Sequence, residues 1–143
     1  MTPAEKTVHN LRKKAWSLGL EAPDSFWYAP VEELARIYNG CGPEWMSRFE
    51  RKALTWAVDE FEPAILIHDY EFDESDGTRR SFALANSHLY RNCVKLANAA
   101  YAWYRLWRYR WLRRAVVVWL FCRFGGWSAW LDAYNLIKKG SPA

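Results

Sequence analysis

Long apolar runs are missing from this 143-residue chain. The longest, Ala115 to Cys122, has eight residues and is fenced by Arg113, Arg114 and Arg123, whereas a helix needs roughly 20 to cross a bilayer. The stretch Met1 to Asn10 has no apolar segment, so no secretory signal is expected and a cytoplasmic location is. Cysteine is scarce. Cys41, Cys93 and Cys122 are odd in number and widely spaced, which argues against a disulfide framework and a zinc site and for a reducing compartment. Two-residue alternation is not sustained anywhere, so strands are not expected and the fold class is mainly α. Acid is nearly absent from the second half: residues 77–143 carry one Asp or Glu against twelve Lys and Arg.

What is present bounds the rest. With 51% hydrophobic residues the chain can bury one core and is too short for two, so residues 1–143 are expected to form a single domain. Residues 1–76 carry fifteen acids against eight bases, which makes the first half acidic and the second strongly basic. The halves can attract each other across the fold. Alternatively, the basic half forms a face for phospholipid headgroups, nucleic acid or an acidic protein.

Helical spacing of Val8, Leu11, Ala15 and Leu18 predicts a first helix from Ala4 to Leu18, with Gly19 as its stop. Glu21 to Pro30, with two prolines and several aromatics, is expected to be an ordered loop. Pro30 then opens a short helix over Val31 to Tyr38. Asn39 to Pro43 is a turn built on Gly40 and Gly42, and helical turns are expected within Trp45 to Ala57. Pro63 sits in the first turn of the next helix, beside Asp59, Glu60 and Glu62 at its positive dipole end. On that helix Ile65, His68, Asp69 and Phe72 share one angular sector. After a polar loop over Asp73 to Thr78, a long helix begins near Ser81. Its stripe is Ala85, Leu89, Cys93, Leu96, Ala100 and Trp103, with Arg91, Lys95 and Asn98 opposite. A break is expected between Tyr104 and Trp111. A last long helix then runs to Phe124 and Gly125-Gly126, and a closing helical segment covers Trp127 to Ile137.

The adjacent His68 and Asp69 carry the clearest chemistry. Ester hydrolysis needs a base to deprotonate water, a cation or donors for the oxyanion and an apolar channel. His68 can supply the base. Asp69 can bind Ca²⁺ with the carbonyls of the Gly40-Cys41-Gly42 loop, all hard oxygen ligands. The competing reading is a polar core contact around His68, with Asp69 capping a loop. His88 and His9 are expected at the surface.

Phe61, Ala64, His68 and Asp69 fall where the prokaryotic phospholipase A2 pattern has Phe-x-x-Ala-Cys-x-x-His-Asp-x-x-Tyr, and Gly40-Cys41-Gly42 resembles that fold's calcium loop. The motif order also resembles a group of small phage and prophage proteins with the same core. It is carried here by Asn39-Gly-Cys-Gly42, His68-Asp69, Ala85-Asn86-Ser-His-Leu89, Arg114-Ala115 and Phe124-Gly-Gly126. The match covers residues 37–130 and leaves 1–36 as an N-terminal helical extension. The resemblance implies two long antiparallel helices with His68 facing position 86. There His68 activates water, Asp69 and the Gly40–Gly42 loop hold Ca²⁺, and an aspartate at 86 orients the imidazole. The sequence departs from the pattern at Asn86, at Phe72 in place of Tyr and at Ile65 in place of Cys. Asn86 removes the charge that would balance an imidazolium. The resemblance thus implies either a weak calcium-dependent acyl hydrolase or a non-catalytic phage-type interaction protein.

Ten tryptophans are present, and Trp103, Trp107, Trp111, Trp119 and Trp127 alternate with six arginines. Tryptophan suits sites with one apolar and one wet side. Arg105, Arg108, Arg110, Arg113 and Arg114 with Trp107 and Trp111 therefore form a candidate partner surface for anionic lipid, nucleic acid or an acidic protein. The other reading pairs these arginines with the acidic half and puts the tryptophans in the core.

Overall fold

The computed structural model describes residues 1–38, 59–100, 109–120 and 122–123. Their secondary structure is helical. α1 spans Pro3–Ser17, α2 Asp24–Tyr28, α3 Val31–Ile37, α4 Glu62–Asp73 and α5 Arg79–Ala100. A 3-10 turn, Asp59–Phe61, leads into α4, and residues 109–120 are a further helix, α6. Among the described residues no helix is long and apolar enough to cross a membrane.

Local chemistry sets the ends of α1. Thr2 Oγ1 accepts from Glu5 N at 3.2 Å while Thr2 N donates to Glu5 Oε2 at 3.0 Å, a reciprocal cap that satisfies two amides left over by the first turn. At the other end Gly19 takes a φ of 63°, in the left-handed region that favours glycine. Its amide then reaches Trp16 O at 3.1 Å and the Leu20 amide reaches Ala15 O at 3.0 Å, so the last carbonyls are not orphaned.

The segment expected to be an ordered loop, Glu21 to Pro30, contains α2. Pro23 precedes the helix and Ala29, held extended before Pro30, ends it. Prolines at both ends thus delimit a short helix instead of preventing one. Its anchor is Phe26, fully buried and 5.4 Å from the Tyr70 ring of α4.

α4 is packed by α5 and also by α1 and α3. Pro63, Ala64, Leu66, Ile67, His68 and Tyr70 are all buried. Within the sector drawn from spacing, only His68 is fully buried, and Ile65, Asp69 and Phe72 stay partly exposed. Burial of α4 therefore extends beyond one stripe, because partners cover more than one of its faces.

α5 starts from a polar cap. Asp76 Oδ1 accepts from Thr78 N at 3.0 Å and also from the hydroxyls of Thr78 and Ser81. These bonds hold its carboxyl down, at about 2. Ala85, Leu89, Cys93 and Leu96 are buried, Arg91, Lys95 and Asn98 exposed, and Ala97 joins the stripe where spacing had placed the exposed Ala100. Phe72 and Phe82 rings lie 6.3 Å apart. Four residues back on α4 and four onward on α5, His68 meets Asn86. Contacts that step in opposite directions make α4 and α5 an antiparallel pair.

Residues 1–38 dock onto this pair. Val8, Phe26 and Leu34 belong to one buried cluster with Leu66, Tyr70, Leu89 and Cys93, and Trp111, Ala115 and Val118 of α6 complete it. Around Asn92, fully buried on α5, the carboxamide donates to Glu21 O and accepts from Glu21 N, both at 2.7 Å. Lys95 Nζ reaches Gly19 O at 2.9 Å and Arg91 Nε reaches Glu21 Oε2 at 2.6 Å. The motif resemblance assigns the N-terminal extension no structural role. These contacts make it part of the same core.

Candidate functional site: the His68–Asn86 crossing

His68 and Asn86 come from facing helices and are 7% and 3% exposed, so each had to find a polar partner as the helices closed. His68 Nε2 lies 3.0 Å from Asn86 Oδ1. A carboxamide oxygen only accepts, so Nε2 carries the proton and donates, which leaves the lone pair on Nδ1. The Phe72 ring packs at 4.5 Å from the imidazole, where a tyrosine hydroxyl is absent. Phe72, Phe82 and Ala85 form a small apolar cluster beside the crossing.

Burial here has an electrostatic consequence. Desolvation lowers the His68 pKa to about 4, against the opposing hydrogen bond from Asn86. The imidazole is neutral at neutral pH, a weak base that is always available. On Asn86, Oδ1 is occupied while Nδ2 is buried with no partner among the described residues, which leaves a donor desolvated without return.

Asp69 keeps some exposed surface, yet desolvation holds its carboxyl well above the usual carboxylate range. No charge or hydrogen bond from the described residues offsets that shift. A cation beside the carboxylate would do so, and a carboxylate is a hard oxygen donor suited to Ca²⁺. Asp69 thus offers the donor type that the expected calcium site needs. Its other proposed ligands, Gly40, Cys41 and Gly42, lie outside the described residues.

Cys122 lies within electrostatic reach of Asp69: burial first, and Asp69 second, push its thiol up to about 12. Cys93 is pushed up as well, by burial and then by Cys122. Both cysteines are free and both stay protonated, so neither is a nucleophile at neutral pH.

The second histidine of the helix pair corrects an expectation. Spacing put His88 at the surface, whereas its Nδ1 lies 2.5 Å from Glu71 Oε1, with the two side chains only 18% and 9% exposed. The face carrying position 88 differs from that of Asn86, but a long Glu71 side chain on α4 still reaches it. Burial raises the Glu71 carboxyl to about 7 against the pull of His88, and its Oε2 is buried without a partner among the described residues. Sequence reasoning missed Glu71 and Asn92. The available signal was a polar residue within each apolar helix face. His9 is exposed, as expected.

The proposed partner surface divides. Arg105, Trp107 and Arg108 lie outside the described residues. Arg110 and Arg113 are exposed and Arg114 is half-buried. Trp111, assigned to that surface, is instead 9% exposed and packs edge-on against Phe61 at 5.6 Å. The Arg114 guanidinium lies 4.3 Å from the Trp111 ring centre. Trp111 fills the core because α6 turns it toward the start of α4, and position on a basic, aromatic-rich segment gave no hint of that rotation.

Glu33, Asp73 and Glu74 bring carboxylates within 4.8 Å of one another. Arg36 pairs with Asp73 at 3.7 Å, and surface acids of this kind commonly gather without an ion. Compared with protein-family models, with curated proteins and with solved structures, the chain matches none.

Proposed function

We propose that the α4–α5 pair is a phospholipase A2-like hydrolytic core of weak activity, in which His68 is the base and Asn86 its orienting partner. The observation that carries this reading is the His68 Nε2–Asn86 Oδ1 contact at 3.0 Å beside Asp69. A hydrogen bond on Nε2 fixes the ring and leaves Nδ1 to accept a proton from water. Asp69 with Gly40, Cys41 and Gly42 would hold Ca²⁺, which when bound supplies positive charge to a developing oxyanion. The neutral Asn86 stabilises an imidazolium less than a carboxylate does, and a base with a pKa near 4 takes a proton with little driving force. Weak turnover follows from both. The substrate class is an acyl ester such as a phospholipid.

A second reading rests on a different observation. Val117 and Tyr109 of α6 are each 59% exposed, and Arg113 is exposed beside them in sequence. In this reading the chain is a phage-type interaction protein whose helix pair is scaffold and whose basic, aromatic second half contacts a macromolecular partner.

Ester hydrolysis measured with calcium separates the two. The enzyme reading expects slow turnover in the wild type, lost in His68→Gln and raised in Asn86→Asp. It also expects millimolar calcium to raise the melting temperature, because a ligand held by the native state alone stabilises it, and Asp69→Asn to abolish that rise. Absence of hydrolysis in both wild type and Asn86→Asp, with no calcium shift, overturns it.

A further inference from the structure

A groove of about 430 Å³ runs between α1 and α2, and it is lined by cations and aromatic rings together. Arg12 and Lys13 bring the cations, and His9 adds an imidazole. The Arg12 guanidinium is held in place by donating to Ala29 O at 2.6 Å. Ion pairs among the described residues join Arg36 to Asp73, His88 to Glu71 and Arg91 to Glu21, and none of these takes Lys13; Asp24 is the carboxylate that lines the groove beside it. Of the eight basic residues in the acidic first half, four lie on α1: Lys6, Arg12, Lys13 and Lys14. A positive island in an otherwise acidic region draws an anion to this groove.

The rings decide what kind of anion. Trp16 is 69% exposed and Tyr28 87%, so each offers a ring to solvent beside the cations. Trp16 stands edge-on to Trp27, with centroids 5.1 Å apart and planes at 80°, which fixes the orientation of an otherwise mobile ring. Exposed π-faces beside fixed cations suit a flat base carrying a phosphate: the base stacks and the phosphate takes the charge. Asp24, also on the groove, can accept from the amino group of such a base. A bilayer surface would favour a convex patch without a carboxylate, and this site is concave and holds one.

We propose that the α1–α2 groove binds a nucleotide unit, free or within a single strand, with its base on Trp16 and its phosphate on Arg12 and Lys13. The site is separate from the His68–Asn86 crossing and does not depend on hydrolytic activity.

The test titrates the full chain with a fluorescein-labelled short oligo-dT, followed by anisotropy, and with AMP, followed by calorimetry. Lys13 and Trp16 are exposed, so Lys13→Glu and Trp16→Ala are expected to keep the native circular dichroism and to weaken binding by roughly tenfold each, the scale of one lost phosphate contact or one lost stack. Arg113→Gln, on the basic second half, is expected to bind as the wild type does. Competition by AMP identifies a free-nucleotide site, and oligo-dT binding that AMP does not displace identifies a strand site. The proposal is overturned if neither probe binds, if either groove variant binds as tightly as wild type, if Arg113→Gln loses as much as Lys13→Glu, or if only phosphatidylglycerol vesicles bind.

Discussion

Two histidines cross the same helix pair and meet different partners. His68 on α4 faces the neutral carboxamide of Asn86, whereas His88 on α5 faces the carboxylate of Glu71. In the first contact burial falls on the imidazole, whose pKa drops to about 4. In the second it falls on the acid, whose pKa rises to about 7. One helix interface thus suppresses charge on a base at one crossing and on an acid at the other. The chemistry of the opposite residue decides which group gives up its charge.

The largest expected effect comes from giving the first crossing the partner that the second already has. Asn86→Asp places a carboxylate 3.0 Å from the imidazole and is expected to raise the His68 pKa by roughly two, read from the pH titration of its ring protons by NMR. Hydrolysis, where present, is expected to rise by roughly a hundredfold with it. An unchanged His68 titration would mean that the contact does not govern the ring's charge.

Asn92 sharpens the comparison from the side, because it is a buried polar residue of α5 that meets backbone instead of a side chain. Asn92→Ala removes two hydrogen bonds and leaves the Glu21 amide and carbonyl without their partner, a loss of about 2 kcal/mol. Urea denaturation is expected to show it as a lower midpoint with an unchanged slope. A midpoint equal to wild type would mean that the Glu21 segment is held by Arg91 and Lys95 alone.

The effect expected at the second crossing depends on pH. The Glu71 pKa is raised from its ordinary 4.5 to about 7, so the native state keeps a proton that the unfolded chain releases. Its contribution to stability is complete below 4.5 and is lost as pH rises through 7. Glu71→Gln has no such proton, so its stability relative to wild type is expected to improve by at most about 3 kcal/mol between pH 4.5 and pH 8. Thermal unfolding at the two pH values measures it, and a constant difference would show that Glu71 is not desolvated.

Much of the helical layout was legible because local rules are strong in this chain. Gly19 ends α1, Pro63 opens α4, and the spacing of Ala85, Leu89, Cys93 and Leu96 marks the buried side of α5. The approach of His68 to position 86 followed from the motif resemblance, and the two atoms do meet. The expected turn at Asn39 to Pro43, the helical turns within Trp45 to Ala57, the break between Tyr104 and Trp111 and the segment over Trp127 to Ile137 fall on residues outside those described. Less legible was α2, where two prolines and three aromatics suggested a loop. A five-residue helix has too few positions to show a period, and only the fit of Phe26 against Tyr70 reveals its purpose. Trp111 and His88 were misplaced for a related reason: their surroundings come from another helix whose rotation no local pattern specifies.

The sequence by itself determined that this chain is mainly helical, where several helices start and stop, and which residues carry acid–base chemistry. These depend on caps, on backbone freedom and on a period that one segment contains. Tertiary structure decided which polar residues are desolvated and against what: His68 against Asn86, Glu71 against His88, Asn92 against Glu21, Trp111 against Phe61. Partners and protonation depend on distances between segments distant in the chain, and burial sets the electrostatic cost of each group only after those segments have packed.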